Sequence, residues 1–261
     1  FLGAGFYKPH CPFIAPSKYF DRVPLSQVKL VPFEEWEMTI APKWAYFTKP
    51  SNWGLSEKQR LESMQAYYAT ILFLDAQIGK VLDAVERLKL AEQTTIVFWS
   101  DHGYALGEHG QWMKQMVFDV AARTPMMISG AGVKTRGNAC GRTVEMLDLY
   151  PTVAELCGLE GTPKNLDGTS LRRLLDNPGA AWDRPAVTQV DRREAGVTVM
   201  GYSIRNERYR YTMWKGGEEG EELYDYRRDP RELKNLAEDG QSAGLKAGLR
   251  SRLAGIVAAR R

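Results

Sequence analysis

The sequence contains few of the residues that build metal clusters or disulfide frameworks. Its 261 residues include three cysteines and three histidines. Cys11, Cys140 and Cys157 are widely separated and odd in number, so they have neither metal-ligand spacing nor the pairing of a disulfide framework. These absences exclude the zinc-finger and disulfide-stabilised classes, and we expect the three thiols to be buried.

The sequence also has little excess charge of either sign and few long apolar runs. The formal net charge is only +3, which is too small to suggest a nucleic-acid partner, and acidic residues lie beside most arginine clusters. No apolar run approaches the roughly 20 residues of a membrane-spanning helix. A composition of 44% hydrophobic and 26% charged residues is typical of a globular protein with one large domain, or one domain and a small appendage.

One segment combines an apolar run with polar, chemically capable residues. Thr95–Trp99 is rich in β-branched and aromatic residues, which predicts a buried strand of a parallel sheet. Asp101 and His102 follow at its carboxyl end, where ligands bind in open α/β sheets, and a carboxylate with an imidazole can hold a divalent cation. Lys114 lies on the glycine-punctuated loop that follows and can meet an anion there. In the alternative interpretation these side chains cap a turn, pack on the sheet and face solvent.

The distribution of histidines favours a site. His102 and His109 lie in this segment, and His10 follows another apolar run, Phe1–Phe6, which we also expect to be a strand. Histidines used only for packing would not be expected to gather at two strand ends. Because the chain opens directly on an apolar run that begins with Phe, we expect it to be the later part of a longer protein.

The rest of the first 184 residues predicts alternating helices and strands. Ala15–Trp53 lacks a period and is dense in proline and aromatic residues, which is typical either of a wall over a site or of a loop packed on the core. Ser56 and Gln59 have capping-box spacing and start a long helix with apolar residues at helical period. A short strand in Thr124–Gly130 and a helix over Asp148–Cys157 follow. This alternation predicts a mostly parallel sheet with helices on both faces.

The pattern changes near Pro185. Short alternating strands, turns and a polar helix predict a small antiparallel sheet with a terminal helix. We therefore divide the chain into residues 1–184, part of an α/β domain, and residues 185–261, a separate subdomain. The expected elements are the strands Ala186–Val190, Val197–Ile204, Tyr209–Trp214 and Glu222–Asp225, and a helix over Ala243–Arg260.

Several of these segments resemble a known family. Ser100–Lys114 contains Ser-Asp-His-Gly and Leu-Gly-Glu-His-Gly and ends in Trp-Met-Lys, Gly5–Phe13 contains Lys-Pro-His, and Gly201–Arg205 reads Gly-Tyr-Ser-Ile-Arg. They resemble type I sulfatases of the alkaline-phosphatase superfamily, and the His beside the metal-binding Asp resembles the iduronate-2-sulfatase-like branch. The resemblance covers nearly the whole chain and implies an alkaline-phosphatase-like α/β fold.

The resemblance also implies roles for individual residues. Asp101 and His102 would be ligands of one calcium ion, and His10 and Lys114 would contact the sulfate group and the ester oxygen. Lys8 would face an acidic group of the substrate. Hydrolysis of a sulfate ester builds negative charge that a cation and fixed donors stabilise. Since calcium prefers oxygen ligands, the identity of the metal rests on the resemblance.

The family pattern is incomplete in this chain. Sulfatases use a formylglycine nucleophile made from Cys or Ser in a Cys/Ser-x-Pro-x-Arg segment, and no Cys or Ser here has that context. The N-terminal Asp-Asp metal ligands of the family also have no counterpart. The resemblance therefore implies that the nucleophile and half of the metal site belong to a missing N-terminal half of the same protein, and that this chain alone is inactive.

The expected function is hydrolysis of a sulfated small molecule or, more specifically, a sulfated saccharide. Trp36, Trp44 and Trp53 are candidates for stacking on sugar faces. The resemblance favours a periplasmic or secreted location. Two alternatives remain open: a phosphate or phosphonate monoester hydrolase on the same scaffold, and a non-catalytic half that binds anions.

Overall fold

A computed structural model describes residues 1–194 and 196–260. None of the helices in these two ranges is long and apolar enough to cross a membrane. The α-helices are α1 (Ser17–Phe20), α2 (Glu57–Arg87), α3 (Asp119–Ala122), α4 (Leu149–Leu156), α5 (Arg172–Asp176) and α6 (Ala243–Ala259). The strands are β1 (Thr95–Trp99), β2 (Ala105–Leu106), β3 (Trp112–Met113), β4 (Met126–Gly130), β5 (Ala186–Glu194), β6 (Val197–Arg205), β7 (Tyr209–Trp214) and β8 (Glu221–Asp225).

The long helix α2 begins where the sequence predicts. The Ser56 hydroxyl accepts a hydrogen bond from the Gln59 backbone N at 3.3 Å, and Gln59 Oε1 accepts one from Ser56 N at 2.9 Å, which completes the capping box. Met64, buried on its inner face, packs with Leu106 and Trp112. The helix thereby supports the loop between β2 and β3.

The strand β1 has the predicted bounds, and β4 lies within the predicted segment, but the pairing differs from the prediction. The two strands pair antiparallel, with Val97 opposite Ile128, so the parallel arrangement expected of them is wrong. Parallel neighbours need a long crossover, usually a helix. Residues 100–125 contain the short strands β2 and β3 and, as their one α-helix, the single turn of α3, and they return the chain in the opposite direction.

The C-terminal elements are confirmed. Strands β5 to β8 form one antiparallel sheet in sequential order. The helix α6 covers one face of this sheet through an apolar cluster, in which burial of the side chains supplies the main stabilisation. The fully buried members of that cluster are Ile204, Tyr211, Leu223 and Leu253.

Two expectations about the chain's apolar and thiol groups are wrong. Residues 1–6 form an exposed irregular segment, because no strand among the described residues pairs with them and an unpaired strand is not stable alone. All three cysteines are free and exposed. They lie in irregular segments or just past a helix end, where the backbone keeps them at the surface.

A shared core connects the two parts of the sequence. It contains residues from the proline-rich segment Ala15–Trp53, which we call the proline-rich excursion, from the segment around α3 and from the C-terminal sheet. Its largest members are Trp44, Tyr46, Phe118, Trp214 and Tyr224. The division at residues 184 and 185 therefore crosses a continuous apolar cluster, and the assignment of two domains stays a prediction.

Candidate active site

Asp101 and His102 lie directly after β1, with Asp101 exposed and His102 half-buried. The His102 Nδ1 is 2.6 Å from the Gly103 carbonyl oxygen. Because a carbonyl only accepts, Nδ1 carries the proton and Nε2 keeps its lone pair. This Nε2 is 3.5 Å from Asp101 Oδ2, a separation that two ligands at about 2.4 Å from one cation can have. The pair therefore fits two positions of a coordination shell.

The loop that carries Asp101 and His102 packs on the backbone of α3. Gly103 N donates to the Ala121 carbonyl at 2.8 Å. A Cβ at Gly103 would lie 2.2 Å from the Val120 carbonyl oxygen and 2.6 Å from that of Arg123. Only glycine permits this close approach, so α3 sets the position of the two candidate ligands.

An aromatic contact brings the two sequence motifs together. The ring of Phe13, from the Lys-Pro-His segment, lies 6.0 Å from that of Tyr104 and 5.4 Å from that of Tyr67 on α2. Tyr67 and Tyr104 stack at 5.3 Å. The sequence analysis did not predict this contact. The feature that could have indicated it is an aromatic residue shortly after each motif histidine, namely Phe13 after His10 and Tyr104 after His102. The segment of His10 is thus held beside the candidate metal ligands.

The side chains of Lys8 and His10 in the Lys-Pro-His segment form hydrogen bonds with backbone carbonyl groups of the same segment. The exposed His10 has Nδ1 2.6 Å from the Cys11 carbonyl oxygen, which again leaves Nε2 available. The Lys8 ammonium donates to the Pro12 carbonyl at 2.6 Å and lies 3.5 Å from that of His10. Lys8 therefore shapes its own loop, and its contact with substrate stays a prediction.

The loop that carries Lys114 is fixed by the proline-rich excursion. The Thr48 hydroxyl accepts from Trp112 N at 2.9 Å and donates to the Trp112 carbonyl at 3.0 Å. The buried Gln111 amide oxygen accepts from the backbone of Phe47 at 2.8 Å and of Thr48 at 2.7 Å. The excursion thus packs on this loop and leaves the Lys114 side chain half-buried.

The predicted site residues are brought to neighbouring loops without direct bonds between all of them. Within residues 1–194 and 196–260, no hydrogen bond or ion pair links His10 or Lys114 to the Asp101–His102 pair. Over the same residues, no group of three or more His, Cys, Asp and Glu side chains is placed to hold a metal ion. The described residues therefore offer two candidate ligands, and a metal ion bound there would need further ligands to complete its shell.

His109 has a structural position instead of a place beside His102. It is 4% exposed, stacks on Phe118 with ring centroids 4.2 Å apart, and has Nδ1 3.5 Å from Glu37 Oε2. Burial, together with the positive charge of Arg210, lowers the pKa of His109 to about 4. His109 therefore lies near His102 in the sequence because its side chain packs the loop against Phe118.

Two family models match the chain. The sulfatase model matches residues 1–159, and the model for the C-terminal region of N-sulphoglucosamine sulphohydrolase matches residues 107–259. Each match covers more than half of the chain. The α/β fold with its small antiparallel sheet is of the alkaline-phosphatase-like class. Within that class, the chain belongs to the sulfatase family.

Curated relatives agree with this membership. A sulfatase of Formosa agariphila is 33% identical over 243 residues, which cover 91% of this chain and 46% of that protein. The iduronate 2-sulfatase of Mus musculus is 30% identical, over 96% of this chain and 60% of that protein. The chain thus spans about half the length of the relatives that it matches.

Solved structures confirm the fold. One described as a complex with its substrate D-glucosamine-2-N,6-O-disulfate is 27% identical, with a TM-score of 0.66, over 77% of this chain and 42% of that one. A phosphonate monoester hydrolase of Agrobacterium radiobacter gives a TM-score of 0.80 at 24% identity, over 97% of this chain and 55% of that one, a likeness in fold alone. The α/β fold with a small antiparallel sheet and helices is therefore as predicted.

Proposed function

We propose that the complete enzyme hydrolyses sulfate esters on a saccharide, as a member of the iduronate-2-sulfatase-like branch. The observation that supports the proposal is the contact of Phe13 with Tyr104, which joins the Lys-Pro-His segment to the segment of Asp101 and His102 in a chain of the sulfatase family. Sulfated sugars are favoured because one relative is named for iduronate sulfate and another binds a glucosamine disulfate.

Asp101 and His102 would hold a divalent cation, which we propose is Ca²⁺. Asp101 supplies the hard oxygen that calcium prefers, and His102 supplies the lone pair of Nε2. A cation bound there contributes positive charge toward the ester oxygen, where negative charge develops during hydrolysis. The hydrogen bond from His102 Nδ1 to the Gly103 carbonyl restrains the orientation of the ring.

His10 and Lys114 would act on the sulfate ester directly. With Nδ1 held by the Cys11 carbonyl, His10 presents Nε2, which accepts a proton when neutral and donates one to the leaving oxygen when charged. Lys114 contributes a fixed positive charge. The nucleophile would be a formylglycine in a segment upstream of residue 1, supplied by the N-terminal half of the same protein.

Exposed apolar side chains support a role for that N-terminal half as a partner. Both faces of the β1–β4 pair are partly open, and residues 1–7 are exposed. Exposed patches of this kind mark surfaces that pack against further chain. The most exposed members are Phe1, Leu2, Tyr7, Trp99 and Met127.

The substrate class is tested by a screen of the complete enzyme. Trp36 and Trp53 are each 51% exposed and available to stack on a sugar ring. Trp44 is buried with its Nε1 donating to Glu219, so its expected sugar contact is wrong. We expect sulfated uronic-acid oligosaccharides to be preferred over neutral sulfated sugars, choline sulfate and phosphonate esters. Preference for choline sulfate or a phosphonate ester would contradict the saccharide assignment.

The role of His10 is tested by a leaving-group series. Loss of a general acid slows esters of poor leaving groups more than activated aryl esters, by roughly a hundredfold or more. We expect this difference for His10→Ala and a more even loss for Lys114→Ala in steady-state kinetics. Equal losses across the series for His10→Ala would remove the acid role and leave only sulfate binding.

A further inference from the structure

A cavity at one end of the C-terminal sheet concentrates positive charge. Its volume is about 300 Å³, and its walls come from the segment before β5, the β6–β7 turn, the residues after β8 and helix α6. None of these residues belongs to the motif segments of the candidate active site. We call it the arginine groove and define it by Trp182, Arg184, Arg208, Tyr209, Arg227 and Arg252.

The charge of the groove is only partly neutralised. Arg208 is paired with Asp225 by two hydrogen bonds of 2.9 and 2.7 Å, and Arg252 donates to the Asp183 side chain at 3.1 Å. Arg227 is exposed, and its guanidinium makes no hydrogen bond or ion pair in the part of the chain that the structure describes. A surplus of guanidinium groups around one cavity attracts an anion.

Arg184 adds to this surplus. Its guanidinium donates to the Asp167 backbone carbonyl at 2.8 Å, a contact that orients the side chain without neutralising its charge. Glu207, the other acidic group of the lining, is engaged by Arg142 at 2.7 Å. The carboxylates at the groove are therefore already paired, whereas two of its arginines keep their charge.

The walls match a sugar better than a compact inorganic anion. Trp182 and Tyr209 contribute half-buried aromatic rings beside the guanidinium groups. Aromatic rings offer apolar faces to a sugar ring, and the planar guanidinium fork binds sulfate and carboxylate oxygens in pairs. The volume lies at the lower end of the roughly 300–1,000 Å³ of ligand pockets, so one or two sugar units fit.

We propose that the arginine groove binds a sulfated sugar unit of a saccharide chain, as a site separate from the residues that carry the reaction. The choice of a saccharide rests on the proposed function. The groove would hold a polymeric substrate by a unit other than the one that reacts, and so increase the affinity of the enzyme for longer chains.

The test measures binding of a sulfated tetrasaccharide and its unsulfated, carboxylated counterpart by titration calorimetry. We expect Arg184→Gln/Arg227→Gln to weaken binding of the sulfated ligand by about tenfold or more, since the two charge-assisted contacts of the arginines without a carboxylate partner are lost. The control, Arg87→Gln/Arg193→Gln, removes the same charge from exposed positions elsewhere and should change the affinity less than about twofold. Arg227→Gln alone, at an exposed side chain, keeps the test valid if the double variant unfolds.

Equal weakening in the groove and control variants, or none in either, would overturn the proposal, because binding would then be non-specific or elsewhere. Equal affinity for the carboxylated ligand would overturn the choice of sulfate. Binding is read without turnover, so the two proposals fail separately. A complete enzyme that binds through the groove but hydrolyses no sulfate ester would contradict only the proposed function.

Discussion

At the scale of single residues, His109 is a buried titratable group whose pKa is displaced far from its value in water. It is neutral and buried, with its pKa lowered to about 4 by burial and by Arg210. The unfolded chain binds a proton near pH 6.5 and the folded chain only near pH 4. The neutral His109 side chain therefore makes its full contribution to the free energy of unfolding above pH 6.5. This contribution falls as the pH drops toward 4, by about 3 kcal/mol in total.

This pH dependence is measured by urea unfolding at several pH values. His109→Gln should flatten the slope of stability against pH between pH 4 and 6.5, because the imidazole that gains a proton on unfolding is then absent. His10→Gln is the matched control, since that side chain is exposed, and should leave the slope unchanged. An unchanged slope in His109→Gln would show that carboxylates alone account for acid sensitivity.

Asp101 and His102 should contribute unequally to metal binding in the complete enzyme. Asp101→Ala removes the charged oxygen ligand and should abolish both bound calcium and turnover, whereas His102→Ala removes a neutral nitrogen and should weaken binding by less. Metal content after dialysis, measured by mass spectrometry, checks both. Full calcium occupancy in Asp101→Ala would contradict the assignment.

At the scale of elements, the C-terminal sheet contains a buried ion network. Arg210 is 1% exposed and its Nε lies 2.5 Å from Glu232 Oε1, while a terminal nitrogen lies 3.2 Å from Glu222. Arg210→Met leaves both carboxylates buried without a cation, so we expect a loss of about 3–5 kcal/mol in the free energy of unfolding.

The comparison for this variant is Arg193→Met on β5. The Arg193 side chain is 80% exposed and, among the residues that the structure describes, pairs only with Asp191, so its replacement should change stability by less than about 0.5 kcal/mol. Both are measured by denaturant titration. Similar values for the two variants would mean that solvent or rearrangement compensates the buried carboxylates.

The elements show which features a single sequence can predict. Period and capping located α2, β1 and the four strands of the C-terminal sheet, because these signals are local. The apolar run Phe1–Phe6 gave the same signal without forming a strand, since pairing depends on a partner elsewhere in space. The antiparallel pairing of β1 and β4 was missed for the same reason.

The candidate site divides in the same way. Residue type and order identify Asp101 and His102 as potential ligands, but the support of their loop by α3 and the Phe13–Tyr104 contact depend on tertiary packing. Similarly, the sequence places His109 beside the other motif residues, and only burial against Glu37 shows that it is structural.

At the scale of the whole molecule, the chain should be inactive when isolated. None of its cysteines or serines has the Cys/Ser-x-Pro-x-Arg context that the resemblance to sulfatases implies for a formylglycine nucleophile, so we expect the nucleophile to lie outside these 261 residues. We expect no hydrolysis of an aryl sulfate above the blank, with the complete enzyme as the positive control. Activity of the isolated chain that disappears in His10→Ala would contradict this prediction.

The contact between α3 and the segment that follows the C-terminal sheet limits which sheets from related proteins could replace this one. Glu232 accepts from Asp119 N at 2.9 Å, and two residues further along α3 the Ala121 carbonyl accepts from Gly103 N. A sheet grafted from a relative would therefore displace the cation ligands unless its counterpart of Glu232 met the helix at the same point. Recombination between sulfatases at the boundary of the sheet should therefore yield folded chimaeras with impaired metal binding.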